Sequence, residues 1–100
     1  MEKRKPHYPL SRVKALVSEG HYRITATARR SAYEDFLLID EGILECVTGL
    51  DNASFYKSMT TLFDSALWQD VYHTAIGAKT AYVKLQILDE ETVVISFKEK

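Results

Sequence analysis

The chain is 100 residues long, 46% hydrophobic and 27% charged, with a net charge of −1 and one cysteine. That length suits one domain spanning 1–100; no apolar run nears the ~20 residues that cross a bilayer, and a lone cysteine permits neither an internal disulfide nor a thiolate zinc cage. The charge is uneven: residues 1–30 carry eight Lys/Arg against Glu2 and Glu19, and residues 31–54 carry six acids and no base, a split compatible with a phosphate-binding side beside a surface for a basic partner.

The opening MEKRKPHYPLSR is basic but is followed by no apolar stretch of ~7 to 15 residues, so it does not read as a secretory signal, and a cytoplasmic location is expected. Residues 11–20, SRVKALVSEG, place Val13, Leu16 and Val17 at helical spacing, with Ser11 as candidate N-cap and Gly20 as the stop. Thr25 or Thr27 can cap a second helix, rich in alanine and arginine, running to about Tyr33. A third helix is predicted from Asp40 to Thr48, its acidic start suiting the positive end of the helix dipole and Gly49 closing it. Cys46, beside Ile43, Leu44, Val47 and Leu50, reads as a small buried hydrophobe. A reactive thiol needs an activating base, and none stands in local register.

After Leu50 the apolar period changes from 3.6 to 2, which marks a switch from helices to strands within one domain. In residues 81–88, Ala81, Val83, Leu85 and Ile87 alternate with Tyr82, Lys84, Gln86 and Leu88. In 92–98, Val93, Ile95 and Phe97 alternate with Thr92, Val94, Ser96 and Lys98. The acidic turn Asp89, Glu90, Glu91 joins the two as a hairpin. A one-residue slip would turn one apolar set to the wrong face, so a three-residue turn predicts Leu88 opposite Thr92, Gln86 opposite Val94, Lys84 opposite Ser96 and Tyr82 opposite Lys98. The last pair then brings Cβ atoms to ~4.5–5.5 Å on the polar face.

Two earlier strands, near 55–62 and 67–75, alternate less cleanly. Lys57 is expected to share a face with Phe55 and Met59, and Gln69 to share one with Leu67, Val71 and His73. A lysine and a glutamine among apolar neighbours invite a functional question, although a lysine stem lying along the surface with its head in water is the plainer explanation.

The chain has no Gly-rich phosphate loop, HExxH pair, GxSxG elbow or CxxC, so nucleotide-binding, zinc-protease, esterase and dithiol redox readings lack their motifs. His7, His21 and His73 are scattered and read as surface or packing residues, with His73 the reserve acid or base because it lies nearest the polar strand residues. What remains is Lys57, Gln69, Tyr82 and Lys98, a cationic and polar set on strands. RNA cleavage can run on such a set, because the 2′-hydroxyl is already the nucleophile. The protein must orient the attack and stabilise charge on the phosphoryl oxygens, and a tyrosine or a lysine of lowered pKa can move a proton.

The blocks FYKSMTT, WQDVYH, YVKLQ and VVISFKEK, with the opening MEKRKPH, the helix SRVKALV and GLDNASFYKSM, resemble the MqsR (motility quorum-sensing regulator) toxins in order and spacing over nearly the whole chain. Those are messenger-RNA interferases with a RelE-like fold. The resemblance implies a small α+β domain, N-terminal helices on a mostly antiparallel C-terminal sheet, and a metal-independent endoribonuclease that cuts messenger RNA at short GC-containing triplets. It implies no cofactor and no membrane, and a cognate MqsA-like antitoxin that carries its own zinc-binding and helix-turn-helix domains, so that DNA is reached only through the partner. Carried over, it assigns Lys57 and Lys98 to the scissile phosphate, Tyr82 to proton transfer or base contact, and Gln69 to positioning. The sequence pI near 6.3 is low for such toxins, and because RNA affinity follows cation count, weaker binding is expected. The rival readings are an RNA-binding module without catalysis, and a protein-interaction domain docking through the acidic block.

Overall fold

The computed structural model describes residues 1–100. In chain order the elements are β1 (Glu2–Lys3), α1 (Leu10–Ser18), β2 (Tyr22–Ile24), α2 (Ala26–Phe36), α3 (Asp40–Thr48), a 3₁₀ turn (Asn52–Ser54), β3 (Phe55–Thr60), β4 (Trp68–Ile76), β5 (Lys79–Leu88) and β6 (Glu91–Glu99). Six strands form one sheet in the order β1-β3-β4-β5-β6-β2, antiparallel except where β2 runs parallel to β6. The architecture is α+β, as expected, with three helices on a mostly antiparallel sheet. None of the helices is long and apolar enough to cross a membrane.

Helix α3 keeps its expected bounds, with Asp40 and Glu41 in the first turn and Gly49 at the C-cap. Helix α1 starts one residue before Ser11, because the extended Pro9 presents its carbonyl to the amides of Arg12 and Val13. Ser11 is therefore inside the helix and caps nothing. Of the two candidate caps of α2, Thr25 is the one used: its Oγ1 accepts from the Ala28 amide (3.0 Å) and donates to the Ile95 carbonyl (2.9 Å), which fixes the helix start onto β6. The helix runs on to Phe36, past the expected end at Tyr33, and stops where Leu37 turns left-handed (φ 58°). Strands β1 and β2 leave no mark in the sequence, since two or three residues carry no readable period.

The helices cover one face of the sheet. Val13, Val17, Ala28, Ala32, Ile43 and Val47 pack against Tyr72, Ala81, Val83, Leu85, Val94 and Phe97 in one buried cluster, and Thr92 donates its hydroxyl to the Val13 carbonyl (2.9 Å). Cys46 is half-buried at the edge of this cluster, and burial raises its thiol pKa, which suits packing and not reactivity. The basic and acidic blocks of the sequence partly neutralise one another: Arg29 grips Asp40 through two hydrogen bonds of 2.8 and 3.0 Å.

The last hairpin differs from expectation near its turn and agrees with it further out. Only Asp89 and Glu90 form the turn, both at positive φ (53° and 62°), the conformation that matches the twist of a two-residue hairpin. Leu88 therefore pairs with Glu91, Ile87 with Thr92, Gln86 with Val93 and Leu85 with Val94. A bulge at Ile95 then absorbs one residue, and from there Lys84 pairs with Ser96 and Tyr82 with Lys98. The apolar set of β6 changes accordingly, with Val94 and Phe97 in the core and Val93 on the opposite face.

Candidate active site on the open face of the sheet

The face turned away from the helices carries all four residues singled out in the sequence. Alternation along β5 sends Ala81, Val83 and Leu85 into the core, so Tyr82, Lys84 and Gln86 project the other way. Strand pairing extends that face sideways: Tyr82 lies between His73 and Lys98, and Lys84 between Val71 and Ser96. Gln69, Val71 and His73 share it, as expected. Leu67 lies before the start of β4.

Lys57 reaches the same face through a bulge. Phe55 pairs with Tyr72 and packs in the core, yet Lys57 pairs with Val71, leaving Tyr56 as the extra residue of β3. Lys57 therefore shares a face with Met59 but not with Phe55, contrary to strict alternation. The bulge also puts Tyr56 on the site face, where its ring stacks on His73 at 4.3 Å and 22°. A bulge that re-aims consecutive side chains is a common device beside functional sites.

The face is dominated by three lysines around aromatic rings. Lys98 Nζ lies 5.2 Å and Lys84 Nζ 5.8 Å from the centre of the Tyr82 ring, and Lys57 Nζ lies 5.5 Å from that of Tyr56, within the range where a ring face attracts a cation. Lys57 donates to Glu2 Oε2 (2.7 Å), a carboxylate placed there by the pairing of β1 with β3. Gln69 donates from Nε2 to Gln86 Oε1 (3.0 Å), so the amide that faces the site is held by a second amide on β5. The His73 ring stands 5.9 Å from that of Tyr82.

These contacts shift the titrations in different directions. Hydrogen bonding to Glu2 raises the pKa of Lys57, and the same contact lowers that of Glu2. Burial, with Lys98 and Lys57 adding repulsion, lowers that of Lys84. Burial raises Tyr82, with Tyr56 adding and Lys57 opposing. Burial, with Lys100, lowers His73. Near neutrality the face therefore offers a protonated phenol, a neutral imidazole and ammonium groups, the set that can hold a phosphoryl group and move protons around it.

Lys84, Tyr56, Gln86 and Glu2 belong to this face although sequence reasoning had not selected them. Lys84 and Gln86 were within reach, since they follow Tyr82 at intervals of two. Glu2 and Tyr56 had no such signal, because one depends on an edge strand and the other on a bulge. His7 is a packing residue, stacked on Trp68 at 5.4 Å. A groove of about 560 Å³ between the end of α2 and the β4–β5 turn, lined by Glu34, Asp35, Phe36 and Lys79 among others, holds none of the four. Two carboxylates in its wall make it a poor phosphate site.

Two comparisons with known proteins concern the chain as a whole. The family model described as "Motility quorum-sensing regulator, toxin of MqsA" matches residues 5–99. The mRNA interferase toxin MqsR of Escherichia coli (strain K12) is 43% identical over 100 residues, which is 100% of either chain.

Proposed function

The chain belongs to the family of motility quorum-sensing regulators that are toxins of MqsA, and from that premise we propose that it is an endoribonuclease toxin whose reaction takes place on the open face of the sheet. One observation supports this reading most: Lys57, Lys84 and Lys98 surround Tyr82 on a face that has no covering helix, and Glu2 is the one carboxylate in an ion pair with any of the three. Fixed cations aimed at one place are what a phosphodiester demands when it becomes a five-coordinate phosphorane.

The substrate backbone crosses the face with its scissile phosphate over Tyr82. Lys57 and Lys98 hold the non-bridging oxygens and stabilise the added charge. Tyr82, protonated, donates its hydroxyl hydrogen to one of them. Gln69, steadied by Gln86, positions the nucleotide. His73, uncharged near neutrality, accepts the proton of the 2′-hydroxyl as its oxygen attacks phosphorus. The products are a 2′,3′-cyclic phosphate and a 5′-hydroxyl, and the lysines supply the positive charge that a metal ion supplies in other nucleases. Cleavage at short GC-containing triplets of messenger RNA, and restraint by an MqsA-like antitoxin that carries the zinc and DNA-binding parts, are the finer features of the reading.

Incubation of the purified chain with a defined messenger RNA in excess chelator tests it. Discrete cuts ending in 2′,3′-cyclic phosphate are expected; RNA that stays intact, or cuts that require added metal, would overturn it.

The pair Glu2–Lys57 leads to a separate expectation. A phosphate has to displace or share the carboxylate, so Glu2→Gln is expected to bind RNA several-fold more tightly, with the difference shrinking as salt rises. Fluorescence anisotropy on an RNA bearing a 2′-deoxynucleotide at the scissile position reads affinity without cleavage. Unchanged or weaker binding would mean that Glu2 does not compete.

A further inference from the structure

Proton transfer to the leaving group is the step that the four sequence-selected residues leave unassigned. When the 2′-oxygen bonds to phosphorus, the bond from phosphorus to the 5′-oxygen breaks, and an alkoxide leaves unless a proton meets it. His73 is neutral and acts at the other oxygen. Lys57 has its ammonium engaged by Glu2 at 2.7 Å, which strengthens its hold on the proton. Lys98 lies on the exposed end of β6, with its head open to water.

Lys84 is placed differently. It stands mid-strand on β5, flanked by Val71 and Ser96, half-buried on the site face, with Nζ 5.8 Å from the centre of the Tyr82 ring. No carboxylate is within ion-pair distance of it; the five ion pairs of the chain engage Lys57, Lys79, Arg12, Arg23 and Arg29 instead. A half-buried ammonium without an acid partner, beside two further lysines, is an arrangement awaiting an anion. Taking the RNA-cleaving reading of the site as its basis, we propose that Lys84 is the general acid that protonates the departing 5′-oxygen.

Its environment supports the role. The groups facing it are Lys57 with Glu2 from β3 and β1, His73 from β4, Tyr82 from its own strand and Lys98 from β6. Burial together with Lys98 and Lys57 lowers its pKa, and an acid whose pKa moves down toward the working pH gives up its proton more readily. The step balances: the new P–O2′ bond takes an electron pair from the 2′-oxygen, whose proton passes to His73. The P–O5′ pair leaves with the 5′-oxygen and captures a proton from Lys84 Nζ. The neutral amine and the imidazolium then return to their starting states by exchange with water.

The test compares two substrates: a short RNA containing a site that the wild-type chain cuts, and the same RNA with sulfur in place of the scissile 5′-oxygen. A thiolate leaves without being protonated. Lys84→Met keeps the apolar stem, and Lys84→Arg keeps the charge as well but holds its proton too tightly to give it up. On the oxygen substrate both variants are expected to be slower by about 10²–10⁴-fold, the range of general acid–base contributions; on the sulfur substrate both should approach the wild-type rate. Lys57→Ala, which removes charge stabilisation, should remain slow on both. Equal losses on the two substrates, or full activity of Lys84→Arg on the oxygen substrate, would overturn the assignment while leaving the RNA-cleaving reading intact. Failure of the wild-type chain to cut any RNA would overturn that reading, and this assignment with it.

Discussion

Lys57→Ala is expected to slow RNA cleavage by about 10²–10³-fold, with Lys98→Ala close behind, and neither change should move the unfolding midpoint appreciably. The magnitude follows from what removing one preorganised donor at a developing oxyanion costs. The stability expectation follows from position: Lys57 touches Glu2 at the surface, and Lys98 has no ion-pair partner. Single-turnover rates and urea midpoints on the same protein samples separate the two effects. Because both lysines act on one phosphate, the double variant should lose less than the product of the single losses. A rate within threefold of wild type for either single variant would mean that the phosphate does not sit between them.

Asp70→Ala is expected to cost about 1–3 kcal/mol of folding stability, the range for leaving a buried hydrogen-bonding group without its partner. The carboxylate is only 1% exposed and accepts three hydrogen bonds, from the His7 amide (3.1 Å), the Tyr8 amide (2.9 Å) and the Ser58 hydroxyl (2.6 Å). Alanine leaves the buried Ser58 hydroxyl and the part-buried His7 and Tyr8 amides without this acceptor. Asparagine retains one acceptor oxygen and should cost less. Asp70 sits on the helix side of β4 beside Gln69 and ties the segment after β1 to the middle of the sheet. The alanine variant should therefore also loosen the placement of Glu2 and Lys57. Chemical denaturation gives the free energy, and a loss under 1 kcal/mol would mean that water replaces the carboxylate at little cost.

The elements that sequence revealed are those whose signal is local. Asp40, Glu41 and Gly49 mark α3 because the dipole and the cap act within one turn. Alternation from Ala81 to Leu88 exposes the two faces of β5 because the strand is regular throughout. The pairing of Tyr82 with Lys98 is correct although the assumed turn is wrong: the shorter turn shifts the register by one residue, and the bulge at Ile95 shifts it back. Two departures from regularity cancel beyond Lys84. Near the turn they do not, and there Val94, not Val93 or Ile95, joins the core.

Tertiary structure alone decided what surrounds the four residues. Glu2 meets Lys57 only because β1 adds to the sheet edge, a contact between positions 55 residues apart. Tyr56 stacks on His73 only because β3 bulges, and the pKa of Lys84 falls because the sheet half-buries it and because Lys98 and Lys57 arrive from strands on either side. By itself the sequence determined the order of the three helices and the four longer strands, the absence of the familiar catalytic motifs, and the face of β5 that Tyr82, Lys84 and Gln86 share, since each of these is written in short local spacings. Bulges, edge strands and the charge felt at a buried ammonium come from pairing over long separations, and no local period records them.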